Sequence, residues 1–263
     1  MIRQPIGVRL DAQDSLRESI RRAAALGAKG VVLDASGDLH PDRLTDTGRR
    51  EIRHLLASVE LGLIALHLPT RTSYDHLDQL DVRLRKADQA LTLAYDLGTR
   101  LVLVRPGGLP PEGEADAERR SIFSNALVEL AKRADHRGVR LAVETVLDPG
   151  STLRPFLDSL GLPALAASVD PGSLLMQGID PIASARDLGP WLAHAYATDA
   201  ASSDRTARIA NPRGSGFPPG ALDWEEYLGA LEEIHYRGYL TAWPAPGRLA
   251  TDFPSLLDRL KTY

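Results

Sequence analysis

The chain has 263 residues and not one of them is cysteine. Disulfide bonds, thiolate metal sites and cysteine nucleophiles are therefore excluded. Any metal ion that binds this protein must be held by oxygen or imidazole ligands.

Long apolar segments and charge runs of one sign are missing too. No uninterrupted apolar stretch could span a bilayer, and the start MIRQPIGVRL lacks the basic segment and apolar core of a signal peptide. The formal net charge is -4, and no basic stripe is present to displace counterions from phosphates. These absences predict a cytoplasmic protein whose partners are neither membranes nor nucleic acids.

Several catalytic motifs are absent as well. The segment RPGGLPPEG has glycines but no Gly-Lys-Ser/Thr ending, so it does not predict a phosphate-binding P-loop. There is no His-Glu-x-x-His, no Gly-x-Ser-x-Gly and no EF-hand loop. Serine-hydrolase and zinc-protease functions are excluded on this ground.

What the chain does contain is a regular alternation of strand-like and helix-like segments. Eight short apolar runs are typical of strands covered on both faces: PIGVRL, GVVLDA, LIALHLP, RLVLVRPGG, VRLAVETV, LAASVDPG, LAHAYATDA and YLTAW. Helical patterns lie between them, among them 15–26, 46–61, 75–97, 118–136 and 224–236. Strict alternation without a linker favours a single α/β domain over residues 1–263, folded as a closed (β/α)8 barrel rather than an open doubly wound sheet.

Glycines separate the predicted helices from the strands that follow them. Each occupies the position where a left-handed residue commonly ends a helix, and they are Gly27, Gly62, Gly98, Gly138 and Gly238. The connections that follow strands are longer than those that precede them, especially 105–117 and 199–222. The second of these is predicted to be a lid or substrate clamp, or else a plain surface loop.

Two acids stand at the carboxyl ends of neighbouring strands. Glu144 ends LAVETV and Asp170 ends LAASVDPG. Because the carboxyl ends of parallel strands open onto one face, both side chains can converge on a cation or a substrate hydroxyl. The structural alternative is that they bind backbone amides or a neighbouring arginine.

The order ETV, SVDPG, HAYATDA and PRGSGFPPGALDWEEYLGALEEIHYRGYLTAW resembles the sugar phosphate isomerase/epimerase group of xylose-isomerase-like TIM barrels. The resemblance spans most of the chain and implies action on a small sugar, a keto-polyol or a sugar phosphate. It also implies a divalent metal held by a glutamate ending strand five, an aspartate ending strand six, a histidine on strand seven and a glutamate ending strand eight.

The chain departs from this metal pattern at two of its four positions. Glu144 and Asp170 match, but Tyr196 and Trp243 replace the histidine and the second glutamate, and Ser173 stands where a histidine often follows the aspartate. Two carboxylates alone would hold Mn²⁺, Zn²⁺ or Mg²⁺ weakly, because affinity grows with ligand number and preorganised geometry. The site is therefore predicted to be a degenerate metal centre, with the cofactor left open.

Further candidates surround these acids. Arg105 ends strand four, so it is predicted to lie beside Glu144 as a substitute for the metal charge or as a simple salt bridge. His67 ends strand three and is a candidate catalytic acid or base, although a buried structural histidine fits equally. Asp34 ends strand two with the same ambiguity, while His194 is expected one pleat deeper in the barrel and not as a ligand.

Substrate contacts are predicted from five residues, Arg9, Tyr196, Asp199, Arg213 and Trp243. Arginines around a pocket suit a phosphate or carboxylate, because the planar fork binds either anion bidentately. The aromatic residues, together with Trp191, could stack on a sugar face or fill the barrel.

Two functions remain open from the sequence. The first is isomerisation with Glu144 as a single base and Arg105 or Tyr196 polarising the carbonyl. Epimerisation with two bases lacks one of them, because Trp243 stands where the second glutamate would be. The second is a barrel without catalysis that binds a sugar-like or acidic ligand, or a partner protein, as a sensor or scaffold, and a homodimer is compatible with either.

Overall fold

Eight parallel strands close into a barrel in chain order in the computed structural model, which describes residues 4–10, 15–199 and 222–263. The strands are β1 Ile6–Leu10, β2 Gly30–Asp34, β3 Gly62–Leu68, β4 Leu101–Val104, β5 Arg140–Thr145, β6 Leu165–Val169, β7 Leu192–Ala197 and β8 Leu240–Ala242. Strands β1 and β8 pair in parallel and close the ring. The predicted (β/α)8 barrel is confirmed.

Helices surround the barrel. They are α1 Leu16–Ala25, α2 Asp46–Ser58, α3 Leu80–Leu97, α4 Ala117–His136, α5 Gly150–Leu160, α6 Pro171–Met176, α7 Pro181–Leu188, α8 Trp224–Glu233 and α9 Leu249–Leu260. The predicted start of α3 at Asp75 is wrong, because Gln79 is left-handed at φ 50° and Tyr74 donates its N–H to the Pro106 carbonyl. No helix in these described ranges could cross a bilayer.

The glycine pattern is confirmed at three of its five positions. Gly27, Gly98 and Gly138 have φ of 92°, 90° and 62° and stand between a helix and the next strand. At Gly62 and Gly238 the prediction is wrong, and the left-handed residues before β3 and β8 are non-glycine ones, Glu60 and His235.

Gly62 and Gly238 instead serve close packing against tyrosines. A Cβ on Gly62 would lie 2.9 Å from the Tyr239 hydroxyl, and one on Gly238 would lie 2.4 Å from the Tyr236 hydroxyl. The missing side chain therefore makes room for an aromatic ring rather than for a positive φ.

The barrel interior changes character along its axis. Its middle is packed with mostly small apolar residues around one tyrosine: Val32, Ala65, Leu103, Ala142, Ala166 and Tyr196. Below Tyr196, the fully buried His194 hydrogen-bonds Ser168 and Thr241. Above this layer, at the carboxyl ends of the strands, the inward side chains are charged, so the polar groups of the barrel concentrate at one mouth.

Two glycine-to-alanine substitutions should change stability in opposite directions. A Cβ on Gly30 would lie 2.7 Å from Ile64 Cγ1 and 3.0 Å from the Gly62 carbonyl oxygen, so Gly30→Ala should destabilise by about 1–3 kcal/mol. Gly229 lies in α8 with open space around it, so Gly229→Ala should stabilise by about 0.5–1 kcal/mol. Urea unfolding of both variants is the measurement, and equal shifts would contradict the packing described.

Candidate functional site

Seven inward side chains meet at the carboxyl mouth of the barrel and are called the mouth cluster here. They are Arg9, Asp34, His67, Arg105, Glu144, Tyr196 and Trp243. Alternation along each strand and the parallel register bring them together, since Asp34 pairs with His67 across β2 and β3. Six of the seven are predicted site residues, and the seventh is Asp34.

The carboxylate of Glu144 lies at the centre of the mouth cluster. Its Oε1 accepts a hydrogen bond from the Tyr196 hydroxyl at 2.9 Å, and its Oε2 accepts one from Arg105 Nε at 3.2 Å. His67 Nε2 lies 3.6 Å from the same Oε2. The predicted contact between Arg105 and Glu144 is present, and the Glu144 side chain has no exposed surface.

These neighbours decide the charge states of Glu144 and Tyr196. Burial alone would raise the pKa of Glu144, but the charges of Arg105, His67 and Arg9 outweigh it and hold that pKa well below its usual range. Burial and the adjacent Glu144 carboxylate raise the pKa of Tyr196 well above its usual value. Glu144 is therefore an anion at neutral pH, and Tyr196 is a neutral hydroxyl that donates to it.

Arg9 lies beneath the opening with only 5% of its surface exposed. Its Nη1 donates to the Tyr196 hydroxyl at 3.3 Å, and its Nη2 donates to Asp34 Oδ1 at 3.1 Å. The guanidinium carbon stands 3.9 Å from the centre of the Trp243 ring. Arg9 thus joins β1, β2, β7 and the end of β8 in one set of contacts.

His67 lies between two carboxylates. Its Nδ1 is 2.9 Å from Asp34 Oδ1, while its Nε2 faces Glu144. The same Nδ1 is 2.7 Å from Arg9 Nη2, so it either donates to Asp34 or accepts from Arg9. Burial alone would raise the pKa of Asp34. The hydrogen bond from His67 and the charge of Arg9 lower that pKa by more than burial raises it, so Asp34 is ionised as well.

Asp170 directs its carboxylate toward a helix terminus. It is the N-cap of α6: its Oδ1 accepts from the Ser173 N–H at 3.3 Å and from the Thr198 hydroxyl, and its Oδ2 accepts from the Ser173 hydroxyl. Thr198 Oγ1 also accepts from the Gly172 N–H at 3.1 Å. Ser173, at the position of the family histidine, therefore belongs to this cap.

The remaining predicted residues are divided between the mouth and other regions. Asp199 Oδ1 accepts from the Leu222 N–H at 3.3 Å at the top of β7, and Arg213 lies outside the described residues. Trp191 precedes β7 and its Nε1 donates to Asp158 of α5 at 2.7 Å, so it neither lines the mouth nor fills the barrel. An aromatic residue at the start of a strand faces the opposite end of the barrel.

His194 lies one layer below the mouth, as predicted. Its ring meets Tyr196 edge-on with 4.6 Å between centroids, and its two nitrogens contact the Ser168 and Thr241 hydroxyls at 2.8 and 2.9 Å. Burial lowers the pKa of His194 to about 3, so the imidazole is neutral. It supports the Tyr196 ring from below.

The role of Asp34 was left open by the sequence, and Thr198 was not among the predicted site residues. The signal for Asp34 was available, because it is a strand-end acid like Glu144 and follows the same rule. Nothing in the sequence singles out Thr198, whose hydroxyl becomes relevant only once β7 lies beside β6. A Pro immediately after Asp170 was a usable signal for its capping role.

A cavity of about 420 Å³ opens beside the mouth cluster, between the ends of β7 and β8 and helix α9. Trp243 lines it, together with Trp224, Arg248 and Asp252. Its volume is in the range of small-molecule pockets.

The donors present do not match what a divalent metal requires. No three His, Asp or Glu side chains among residues 4–10, 15–199 and 222–263 are arranged to hold a metal ion. Glu144 already accepts from Tyr196 and Arg105, and Asp170 caps α6. Tyr196 stays protonated and the indole of Trp243 has no lone pair to offer, so neither is a metal ligand.

Comparison with known proteins gives the class. A family model described as xylose isomerase-like TIM barrel matches residues 20–261, and the chain belongs to that family. The solved structures that resemble this chain include a 3-keto-D-glucoside 4-epimerase from E. coli and a D-psicose 3-epimerase.

Individual relatives agree with this assignment. The chain is 28% identical over 176 residues to a 2-epi-5-epi-valiolone 7-phosphate 2-epimerase of an Actinoplanes species, and the match covers 66% of this chain and 64% of that protein. A xylose isomerase domain protein from Planctomyces limnophilus has a TM-score of 0.80 at 19% identity, covering 98% of this chain and 95% of its own. The D-psicose 3-epimerase of Clostridium cellulolyticum has a TM-score of 0.78 at 14% identity, covering 98% of both chains.

Replacing Glu144 should change both stability and its pH dependence. Glu144→Gln leaves the nearby guanidinium groups without their counter-charge, so we expect a loss of about 3 kcal/mol at pH 7. Because the folded-state pKa is depressed, the stabilisation by Glu144 is fully present above its unfolded pKa of about 4.3 and is lost as pH falls through the folded value. The difference in free energy of unfolding between wild type and variant should therefore begin to shrink below about pH 4 and continue to shrink toward the folded-state pKa.

Glu112→Gln is the matched control, since Glu112 forms an exposed pair with Arg120. Denaturant unfolding between pH 3 and pH 8 should show a change within about 0.5 kcal/mol for this variant. A gap between wild type and Glu144→Gln that stays constant down to pH 3 would contradict the charge states described.

Proposed function

We propose that this protein is an isomerase-type enzyme that moves a proton next to the carbonyl of a small sugar, keto-polyol or sugar phosphate, without a divalent metal. The observation that carries the proposal is the buried chain of Asp34, His67 and Glu144 beside an arginine at the mouth of the barrel. It supplies proton acceptors and a fixed positive charge in one place.

Arg105 is the group that would receive the substrate oxygen. Its Nε is held by Glu144, while its Nη2 is buried and has no acceptor among the described residues. A buried N–H without an acceptor costs stability, and a carbonyl or enediolate oxygen would satisfy it. The guanidinium would then stabilise the negative charge that develops on that oxygen.

The proton steps follow from the neighbours of Glu144. The carboxylate takes the proton from the carbon next to the carbonyl, and the electrons of that C–H bond form the enediolate. Return of the proton to the adjacent carbon gives the isomeric carbonyl compound, while His67 carries the hydroxyl proton from one oxygen to the other. Epimerisation at a single carbon would need a second base on the opposite face, where Trp243 stands.

The phosphorylated substrate of the Actinoplanes relative supports including sugar phosphates. Arg9, Asp199, Arg213 and Trp243 are the residues proposed for substrate contact, and Asp170 is proposed to hold the β6–α6 turn in position. Glu144, Arg105 and His67 are proposed as the catalytic residues.

A second function, binding without catalysis, is favoured by one specific observation. Both oxygens of Glu144 are already hydrogen-bonded, and its pKa is depressed, so its driving force as a base is small. A sensor of a sugar-like or acidic ligand would need the same polar mouth and no proton transfer.

Deuterium exchange separates the two functions. Protein dialysed against a chelator is incubated in D₂O with a panel of ketoses, aldoses and their phosphates, and NMR follows the carbon next to the carbonyl. We expect deuterium incorporation and isomerisation that persist in chelator, and a fall of about 10²–10⁴-fold in kcat for Glu144→Gln. Glu112→Gln should retain full activity.

Other outcomes have equally direct meanings. Saturable binding of a panel compound without any exchange would replace the enzyme with the binder. Calorimetric titration with Mn²⁺, Zn²⁺ and Mg²⁺ accompanies the assay, and turnover that appears only with stoichiometric metal would overturn the metal-free mechanism.

A further inference from the structure

The two substituted metal positions share one contact. The Tyr196 hydroxyl lies 3.3 Å from Arg9 Nη1, and the Trp243 ring centre lies 3.9 Å from the Arg9 guanidinium carbon. Tyr196 and Trp243 also pack on each other, with 5.7 Å between ring centroids. The residues that replace a histidine and a glutamate thus form a hydrogen-bonding and aromatic seat for the same guanidinium.

The charge of Arg9 is needed where it lies. Asp34 and Glu144 are ionised and largely removed from water, and a buried carboxylate is stable only beside a positive charge. Arg9 bonds Asp34 directly and reaches Glu144 through the Tyr196 hydroxyl. The two carboxylates in turn stabilise the positive charge of the buried Arg9 guanidinium.

Arg105 fits this role less well. Its side chain is 34% exposed, and within the mouth cluster it hydrogen-bonds only Glu144. Arg9 is 5% exposed and contacts four members of the mouth cluster. Arg9 therefore lies among the buried groups of the mouth cluster, whereas Arg105 is partly open to solvent.

We infer that Arg9 is the resident cation of this site, and that its guanidinium takes the charge role of a divalent metal and excludes the metal from the mouth. The inference extends the metal-free part of the proposed function. Arg9 is a positioning residue, because it acts through Tyr196, Asp34 and Glu144 and not on the reacting atoms. A covalently attached guanidinium cannot be removed by a chelator or exchanged for another metal.

The test is metal binding, which needs no turnover. Arg9→Ala removes the guanidinium and leaves Asp34, His67 and Glu144 around a vacated volume. Mn²⁺ alone is titrated by calorimetry into wild type, Arg9→Ala and Arg105→Ala, with thermal unfolding followed in parallel. Arg105→Ala is the matched control, since it removes the other guanidinium of the mouth cluster, the one that hydrogen-bonds Glu144 directly.

We expect wild type and Arg105→Ala to bind no stoichiometric Mn²⁺ at millimolar concentration. Arg9→Ala should bind one Mn²⁺ at least roughly tenfold more tightly than either and gain thermal stability from it, because Asp34, His67 and Glu144 then lack their cation and can move into the vacated volume to bind one. Guanidinium chloride at low millimolar concentration should also stabilise Arg9→Ala and leave wild type unchanged.

Each alternative result decides the question. Stoichiometric Mn²⁺ binding by wild type, or equal behaviour of the two alanine variants, overturns the inference. If Arg9→Ala does not fold, Arg9→Gln is titrated in its place. If both are unfolded, refolding on addition of Mn²⁺ supports the inference and no refolding overturns it. An inactive wild type with this metal response would refute the proposed function and leave the inference standing.

Discussion

The buried carboxylate of Glu144 is the constraint on which the mouth of this barrel depends. A side chain with no exposed surface that remains ionised must be compensated by nearby donors and positive charge. Tyr196 and Arg105 supply the hydrogen bonds, and Arg9 supplies charge from below. Removing any of these groups would leave Glu144 incompletely paired in a region that water reaches poorly. The stability of each group therefore depends on the others.

The barrel makes this coupling possible by its layers. Small residues such as Ala142 and Ala166 leave room in the middle for the Tyr196 ring, and neutral His194 supports that ring from beneath. The tyrosine hydroxyl can then rise to the level of the carboxylate. Packing in the apolar layer thus fixes the geometry of the polar layer above it. The chemistry at the mouth therefore depends on the side-chain volumes of residues that lie two positions earlier on each strand.

The strands and their closure into a barrel could be predicted from the regular alternation of strand-like and helix-like segments. The contact between Arg105 and Glu144 could be predicted because the two residues end neighbouring strands. The capping role of Asp170 was harder to predict, because only the side-chain direction in the folded chain shows which donors its carboxylate accepts from. The contact of Arg9 with Trp243 was not predictable either. It requires β1 to meet the end of β8 across the whole length of the chain, and no local pattern indicates that Arg9 is more deeply buried than Arg105.

Membership of a fold family therefore does not fix the chemistry of the site. A divalent metal needs several oxygen or nitrogen donors converging on one point, whereas a guanidinium donates in-plane hydrogen bonds and stacks on an aromatic face. Replacing one donor alone would leave a weakened metal site. Here the Tyr196 hydroxyl and the Trp243 indole form the planar, aromatic seat in which Arg9 lies. A hydroxyl and an indole at these two positions therefore suit that arginine, because the first accepts a hydrogen bond from it and the second lies against its guanidinium.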